Sequence, residues 1–319
     1  MIKKENLIFL VVLHILLVTG CKENKMEFKI TEHSELTGIA SASGIEATKG
    51  GIFVIGDNSP YLFSLNLKME MEEKILLFSG SQKPDSLFEK LAKPDLEALT
   101  ISDETGQLLY AFGSGSKSPE RDILIEIDLQ NPGKVKEYPL KEFYRELRSQ
   151  AQLPPEFLNI EAAVIFQDEL LLFNRGENLI LKYSLSAFKK YLDGPGPIPK
   201  PQIFRIILPN IKGITAGFSG AAINPGNETI IFTATVEDTS NWIDDGEVMG
   251  SFLGVIPFKE LQDQFRPECV AIGTKDRHLP IKVESVTVLP PYTKTKSNLI
   301  LVTDSDGGVS EYLRGELTF

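Results

Sequence analysis

The chain has 319 residues, of which 44 are acidic and 33 basic, giving a net charge of −11. That balance argues against nucleic acid or an anionic lipid surface as a partner and suits a cation or a cationic ligand. Two cysteines, Cys21 and Cys269, are too few for a disulfide-stapled scaffold.

The amino terminus reads as a targeting segment. Lys3 and Lys4 precede an apolar run over residues 7–18, shorter than the ~20 residues of a membrane-spanning helix and suited to a signal peptide. The run ends in Val18-Thr19-Gly20-Cys21, which resembles a bacterial lipobox, so Cys21 is expected to carry the lipid (diacylglyceryl and a palmitate-type chain) that anchors the mature protein to a membrane. Lys22, where an inner-membrane retention signal would place aspartate, points to the outer membrane of the cell envelope. Removal of residues 1–20 takes away Lys3, Lys4 and Glu5 and leaves −12. Residues 21–25 form a tether, and residues 26–319 are expected to form one domain. With Cys21 acylated, Cys269 has no partner for an intramolecular disulfide.

Downstream, residues 26–31 alternate as a half-buried strand does. Strands are then predicted at 51–56, 61–67 and 74–79, with turn chemistry at Asp57-Asn58-Ser59-Pro60. The same order returns at 107–112, 122–129 and 134–140, then at 169–173, 179–185 and 202–208. It returns again at 228–234, 249–257 and 268–272, and finally at 298–302 and 309–313. Helices are predicted at 85–91, 141–150, 186–192 and 257–265, and residues 194–201 form a loop rich in proline and glycine.

Each unit opens on a short phrase: Ser-Gly-Ile-Glu-Ala at 43–47, Asp-Leu-Glu-Ala-Leu at 95–99, Asn-Ile-Glu-Ala-Ala at 159–163, Gly-Phe-Ser-Gly-Ala at 217–221 and Lys-Val-Glu-Ser-Val at 282–286. The marked residues Glu46, Glu97, Glu161, Ser219 and Glu284 are spaced by 51, 64, 58 and 65 residues. A period of this size signals a repeat architecture. The expected fold is all-β: a five-bladed β-propeller of four-stranded blades. The orphan strand at 26–31 supplies the outer strand that the last unit lacks, which protects the sheet edges. A six-bladed ring is the alternative, but no sixth phrase exists for it.

On equivalent inner strands, Glu46, Glu97, Glu161, Ser219 and Glu284 would form a ring around the channel. Two carboxylates ~6 Å apart at an effective dielectric of ~20 repel by roughly 3 kcal/mol. Such a ring therefore calls for protons or a cation. Calcium, which takes 6–8 hard oxygens in flexible geometry, suits it. Around the ring the turns offer a polar rim: Asp57 and Asn58; Ser114 and Lys117; Asn174 and Arg175; Glu237 and Asp238; Asp304 and Asp306. An alternative role for the glutamates is to accept backbone amides at strand ends. The chain has no phosphate loop, nucleophile elbow or dinucleotide fingerprint, and its histidines, His14, His33 and His278, lack metal-ligand spacing.

The order of glutamates and serine on the inner strands resembles the calcium-activated nucleotidase (soluble apyrase) family. The nearest stretches are Gly217-Phe218-Ser219, Val236-Glu237-Asp238, Ser251-Phe252, Val283-Glu284 and Asn174-Arg175. The resemblance implies a five-bladed propeller with calcium in its channel. The chain departs from that family at Glu46, where the family has serine, and at Asp57-Asn58, which lacks the family's following arginine. The leading functional expectation is a monomeric binding protein that presents the rim to a small molecule or protein partner. Two enzymatic alternatives are a calcium-dependent phosphoester or phosphoanhydride hydrolase using Asp57, Arg175 and Asp304, and a glycosidase using two rim carboxylates.

Overall fold

The computed structural model describes residues 25–78, 87–103, 105–194, 196–238, 246–274, 277–304 and 309–319. Five four-stranded antiparallel sheets form the molecule. Blade 1 runs from the axis outward as Ala42–Thr48, Gly51–Gly56, Tyr61–Leu65 and Met71–Leu76. Blade 2 is Leu96–Ile101, Leu108–Gly113, Ile123–Asp128 and Val135–Pro139, and blade 3 is Ile160–Phe166, Glu169–Asn174, Leu179–Ser184 and Gln202–Arg205. Blade 4 is Gly217–Asn224, Thr229–Asp238, Glu247–Pro257 and Glu268–Ala271. Blade 5 contains Lys282–Leu289, Lys296–Asp304 and Glu311–Thr318, and its outer strand is Glu27–Glu35.

The inner strands of successive blades pack side by side, and that of blade 5 packs on that of blade 1, so the ring is closed. Closure uses an antiparallel register that begins with Glu27 opposite Thr318 and ends with Glu35 opposite Glu311. This is the expected five-bladed architecture. The six-bladed alternative is overturned, because the five sheets complete the circle.

Each blade is buried on both faces near the axis, which explains the continuous apolar run of Gly51–Gly56. The outer strands alternate or turn polar, as in Val135–Pro139, where Tyr138 is buried between exposed neighbours. Apolar clusters fill the five gaps between adjacent blades. A fully buried Phe or Leu in such a gap contributes roughly 1.5–3 kcal/mol.

Helix Lys141–Ala151 buries Phe143, Tyr144 and Leu147 against blades 2 and 3. The Tyr144 hydroxyl donates to the Gly113 carbonyl at 2.7 Å and so fixes the turn that carries Ser114. Helix Leu185–Leu192 starts at Ser184, whose hydroxyl accepts from the Ala187 amide. Two other predicted helices are corrected. The described part of 85–91 is irregular: Phe88 donates its amide to the Asn58 carbonyl, and its ring packs edge-on against Phe78. In 257–265 only a single 3-10 turn forms, Phe258–Glu260. The following residues hydrogen-bond to blade 3 instead: Gln264 donates to the Arg205 carbonyl, and the Ile207 amide donates to Phe265. Among the described residues no helix is long and apolar enough to cross a membrane.

Candidate functional site

All five inner strands carry the same irregularity near their first residues. The register skips one residue at Ser43, Glu97, Glu161, Ser219 and Glu284. Each is a β-bulge, which leaves one residue out of the ladder and re-aims its side chain. The five bulges therefore define one level of the channel. Its blade 1 member is Ser43, whose hydroxyl donates to the Leu96 carbonyl at 2.6 Å. Glu46 lies three residues further along its strand, ~10 Å away at 3.3 Å per residue, and the structure does not bring it to the ring.

Close approach of the inner strands at this level requires a small residue. A Cβ on Gly220 would lie 2.5 Å from the Ser285 Cα of the next blade. Ser219 is fully buried and donates to the Thr233 hydroxyl at 3.1 Å.

The acids at this mouth are met by four basic side chains. Lys93 bonds Asp57 and lies 2.7 Å from Asp95. Asp95 also accepts from Arg121 at 2.7 Å and from the Ser114 hydroxyl at 2.5 Å. On the neighbouring blade 3, Arg175 is buried 3.1 Å from Glu237 and 3.8 Å from Glu161. It lies over Gly217, where a Cβ would meet its Cγ at 2.6 Å. Lys282 reaches Glu284 at 3.1 Å and Glu237 at 3.5 Å, and its cross-strand neighbour is Asp304.

Among the described residues, Asp57, Asp95, Glu97, Glu161, Glu237, Glu284 and Asp304 thus surround only Lys93, Arg121, Arg175 and Lys282. The acid excess shows in the titration of the ring. Burial, then the charges of Asp95 and Glu161, hold the Glu97 carboxyl well above the usual range. Burial pushes Glu161 up to about 8 against the pull of Arg175. It also pushes Glu284 up to about 7 against Lys282.

The remaining rim residues divide by role. Asn174 holds its own turn, accepting from the Asn159 amide at 2.7 Å and donating to Phe157 and Gly176 carbonyls. Asn159 in turn donates to Glu161 at 2.5 Å. Lys117 is half exposed and donates to the Leu91 carbonyl, outside the cluster. Asp238 is exposed at the end of its strand. Asn58 donates to the Ser41 hydroxyl at 3.3 Å. Asp306 and Cys21 lie outside the described residues.

Calcium can be tested against this donor set. Carboxylate oxygens of Asp57, Asp95 and Glu97 lie within 4.8 Å of one another, the spread expected of oxygens each 2.3–2.6 Å from one ion. The Asp57 Oδ1 atom is buried with no hydrogen-bond partner, a costly state for a carboxylate oxygen that a cation, a proton or a water would relieve. In donor type and spacing these residues fit the ion, and Lys93 is its competitor.

A family model matches residues 38–317, from the approach to blade 1 almost to the end of blade 5. The chain belongs to DUF6929, a family of unknown function. No curated protein matches the sequence. Similar solved structures include the tail fibre of Staphylococcus aureus phage P68, at 12% identity and TM-score 0.48, covering 92% of this chain and 53% of that one. The PQQ-bound aldose sugar dehydrogenase of Streptomyces coelicolor shares 14% identity at TM-score 0.46, with 92% and 98% covered. The glutaminyl cyclase of Myxococcus xanthus shares 10% at TM-score 0.45, with 92% and 97% covered.

In this DUF6929 chain, sequence reasoning missed Ser43, Lys93, Asp95, Arg121 and Lys282 as members of the mouth. A signal for four of them existed. Ser43 and Asp95 stand inside their phrases, while Lys93 and Lys282 precede ring glutamates by four and two residues. Each lysine is thereby delivered to the mouth by the same segment that delivers its acid.

Proposed function

We propose that this protein is an exported, lipid-anchored propeller that binds calcium, or a ligand presenting a cation, at the acid-rich mouth of its channel. It acts as a binding module facing a soluble small molecule or protein partner. Two observations carry this reading: carboxylate oxygens of Asp57, Asp95 and Glu97 lie within 4.8 Å of one another, and Asp57 has a buried oxygen with no hydrogen bond. Asp57, Asp95 and Glu97 would hold the ion, with Lys93 giving way. The bulge level adds support: with Ser43 in place of Glu46 it reads Ser-Glu-Glu-Ser-Glu, the order the nucleotidase resemblance implies. The anchor rests on the lipobox ending at Cys21.

The phosphoryl-hydrolase alternative is weaker on electrostatic grounds. Arg175 is engaged by Glu161 and Glu237, so an incoming phosphate would meet carboxylates before it met a free guanidinium. A binding role for cationic groups carries no such conflict.

Calorimetric titration tests the reading directly. Calcium is expected to bind and to raise the melting temperature, with Asp57→Asn weakening it at least tenfold. Absence of both heat and thermal shift at millimolar calcium would refute the ion site. Release of phosphate from nucleoside diphosphates, dependent on calcium and lost in Arg175→Ala, would favour the hydrolase instead. Radiolabelled palmitate incorporation that disappears in Cys21→Ser tests the anchor.

A further inference from the structure

The far end of the channel is built from different chemistry. Three residues past the bulge level the inner strands present Glu46, Thr100, Val164, Ala222 and Thr287. A cavity of about 130 Å3 opens there. Its walls are mainly aliphatic, from Ile101, Val164, Ile165, Ile223 and Val288, with Tyr292 and Pro225 at the rim. Glu46 is the one carboxylate among its lining residues, and no lysine, arginine or histidine lines it.

Glu46 is held rather than loose. One oxygen accepts from the Ala47 amide at 3.0 Å and the Thr287 hydroxyl at 3.2 Å, and the other from the Ile101 amide at 3.3 Å. Burial nevertheless pushes its carboxyl up to about 7. Tyr292 is the other titratable lining residue, and burial raises its hydroxyl as well. The cavity thus offers a fixed acid with no countercharge, surrounded by apolar wall.

We propose that this cavity is a second binding site, separate from the charged mouth, for a small apolar molecule carrying one primary amine. Size sets the class: a cavity of ~150 Å3 lined by aliphatic and aromatic side chains accommodates benzene. Charge sets the head group. An ammonium supplies the missing counterion to a desolvated carboxylate, whereas a carboxylic acid of the same shape would be repelled. An alcohol gains one hydrogen bond and no ion pair.

Benzylamine and benzyl alcohol are matched probes. Titrated at pH 8 into the wild-type protein, benzylamine is expected to bind at least tenfold more tightly than benzyl alcohol. The isosteric Glu46→Gln is expected to abolish that preference, weakening benzylamine tenfold or more and leaving the alcohol within about twofold. Ala222→Leu, which fills the cavity, should weaken both. A crystal soaked in 4-bromobenzylamine provides a readout independent of any variant, with the halogen placed in this cavity. The proposal is overturned if the wild-type protein does not bind millimolar benzylamine, if the alcohol binds as tightly, or if Glu46→Gln keeps the preference.

Discussion

The two ends of one channel solve the burial of carboxylates in opposite ways. At the bulge level the acids come in excess and are interleaved with Lys93, Arg121, Arg175 and Lys282. Three residues along the same strands, Glu46 stands by itself, satisfied by two amides and a hydroxyl. At both ends burial is the largest cause of the raised carboxyl, so desolvation is common to them. What differs is the compensation. A network of ion pairs is costly to break at any member. A single acid held by dipoles can be neutralised by one proton or one ligand.

The most damaging way to probe that contrast is to remove Arg175. Arg175→Ala leaves Glu161 and Glu237 buried without their guanidinium and is expected to cost about 3–5 kcal/mol in urea unfolding. A loss below ~1 kcal/mol would mean that the network is not cooperative. Next in size is Lys93→Met. In chelator it should lower the melting temperature by several degrees, because Asp57 and Asp95 lose their shared ammonium, at a cost on the order of 2–4 kcal/mol. Calcium should restore most of that loss, and failure to do so would separate the lysine from any ion site.

A pH series sharpens the comparison further. Glu97, Glu161 and Glu284 titrate above the unfolded value of 4.5, so the native protein holds protons that the unfolded chain releases. Their stabilising contribution is complete below about 4.5 and is lost as pH rises through about 7 for Glu284 and about 8 for Glu161. Stability should therefore fall between pH 5 and pH 8, by up to ~1.4 kcal/mol per unit for each group. Glu46 adds to the same slope up to about 7, so Glu46→Gln should flatten the curve without removing it. A curve that rises across this window would contradict the whole assignment. The smallest expected effect is at Ser219: Ser219→Ala removes its bond to Thr233 and should cost about 1 kcal/mol, with calcium affinity retained.

Sequence periodicity carried the architecture because every blade repeats one order of strands and the first strand completes the last blade. The mouth was only half legible. Glu97, Glu161, Ser219 and Glu284 could be aligned by their neighbours, but the local match of Gly-Ile-Glu-Ala to the other phrases selected Glu46 over Ser43. The bulge that decides between them is a property of strand pairing, set by which residues stand opposite each other across the ladder rather than by the phrase itself. The basic partners were hidden for another reason. Lys93 precedes its strand across Pro94 and Asp95, and Arg121 follows the Ser114 turn, so they meet at Asp95 only once the first two strands of blade 2 pair. The described part of 85–91 and the segment 257–265 have helical spacing that loses to hydrogen bonds with distant segments.

The strand that closes the ring has a mechanical meaning. Of the nine residues of Glu27–Glu35, Phe28 alone is buried, and most of the others face water. Residues nearly 290 positions apart are thus joined by a ladder with little apolar backing, across a closure that costs roughly 5 kcal/mol of chain entropy. Such a strand is the natural place for local opening. Its amides should be the first of the blade strands to exchange in deuterated water. A pull on the chain just upstream of Met26 would meet first the buried Met26, whose amide donates to Glu268 at 3.1 Å, and then this clasp, so tension applied there and integrity of the ring are linked through one thinly covered strand.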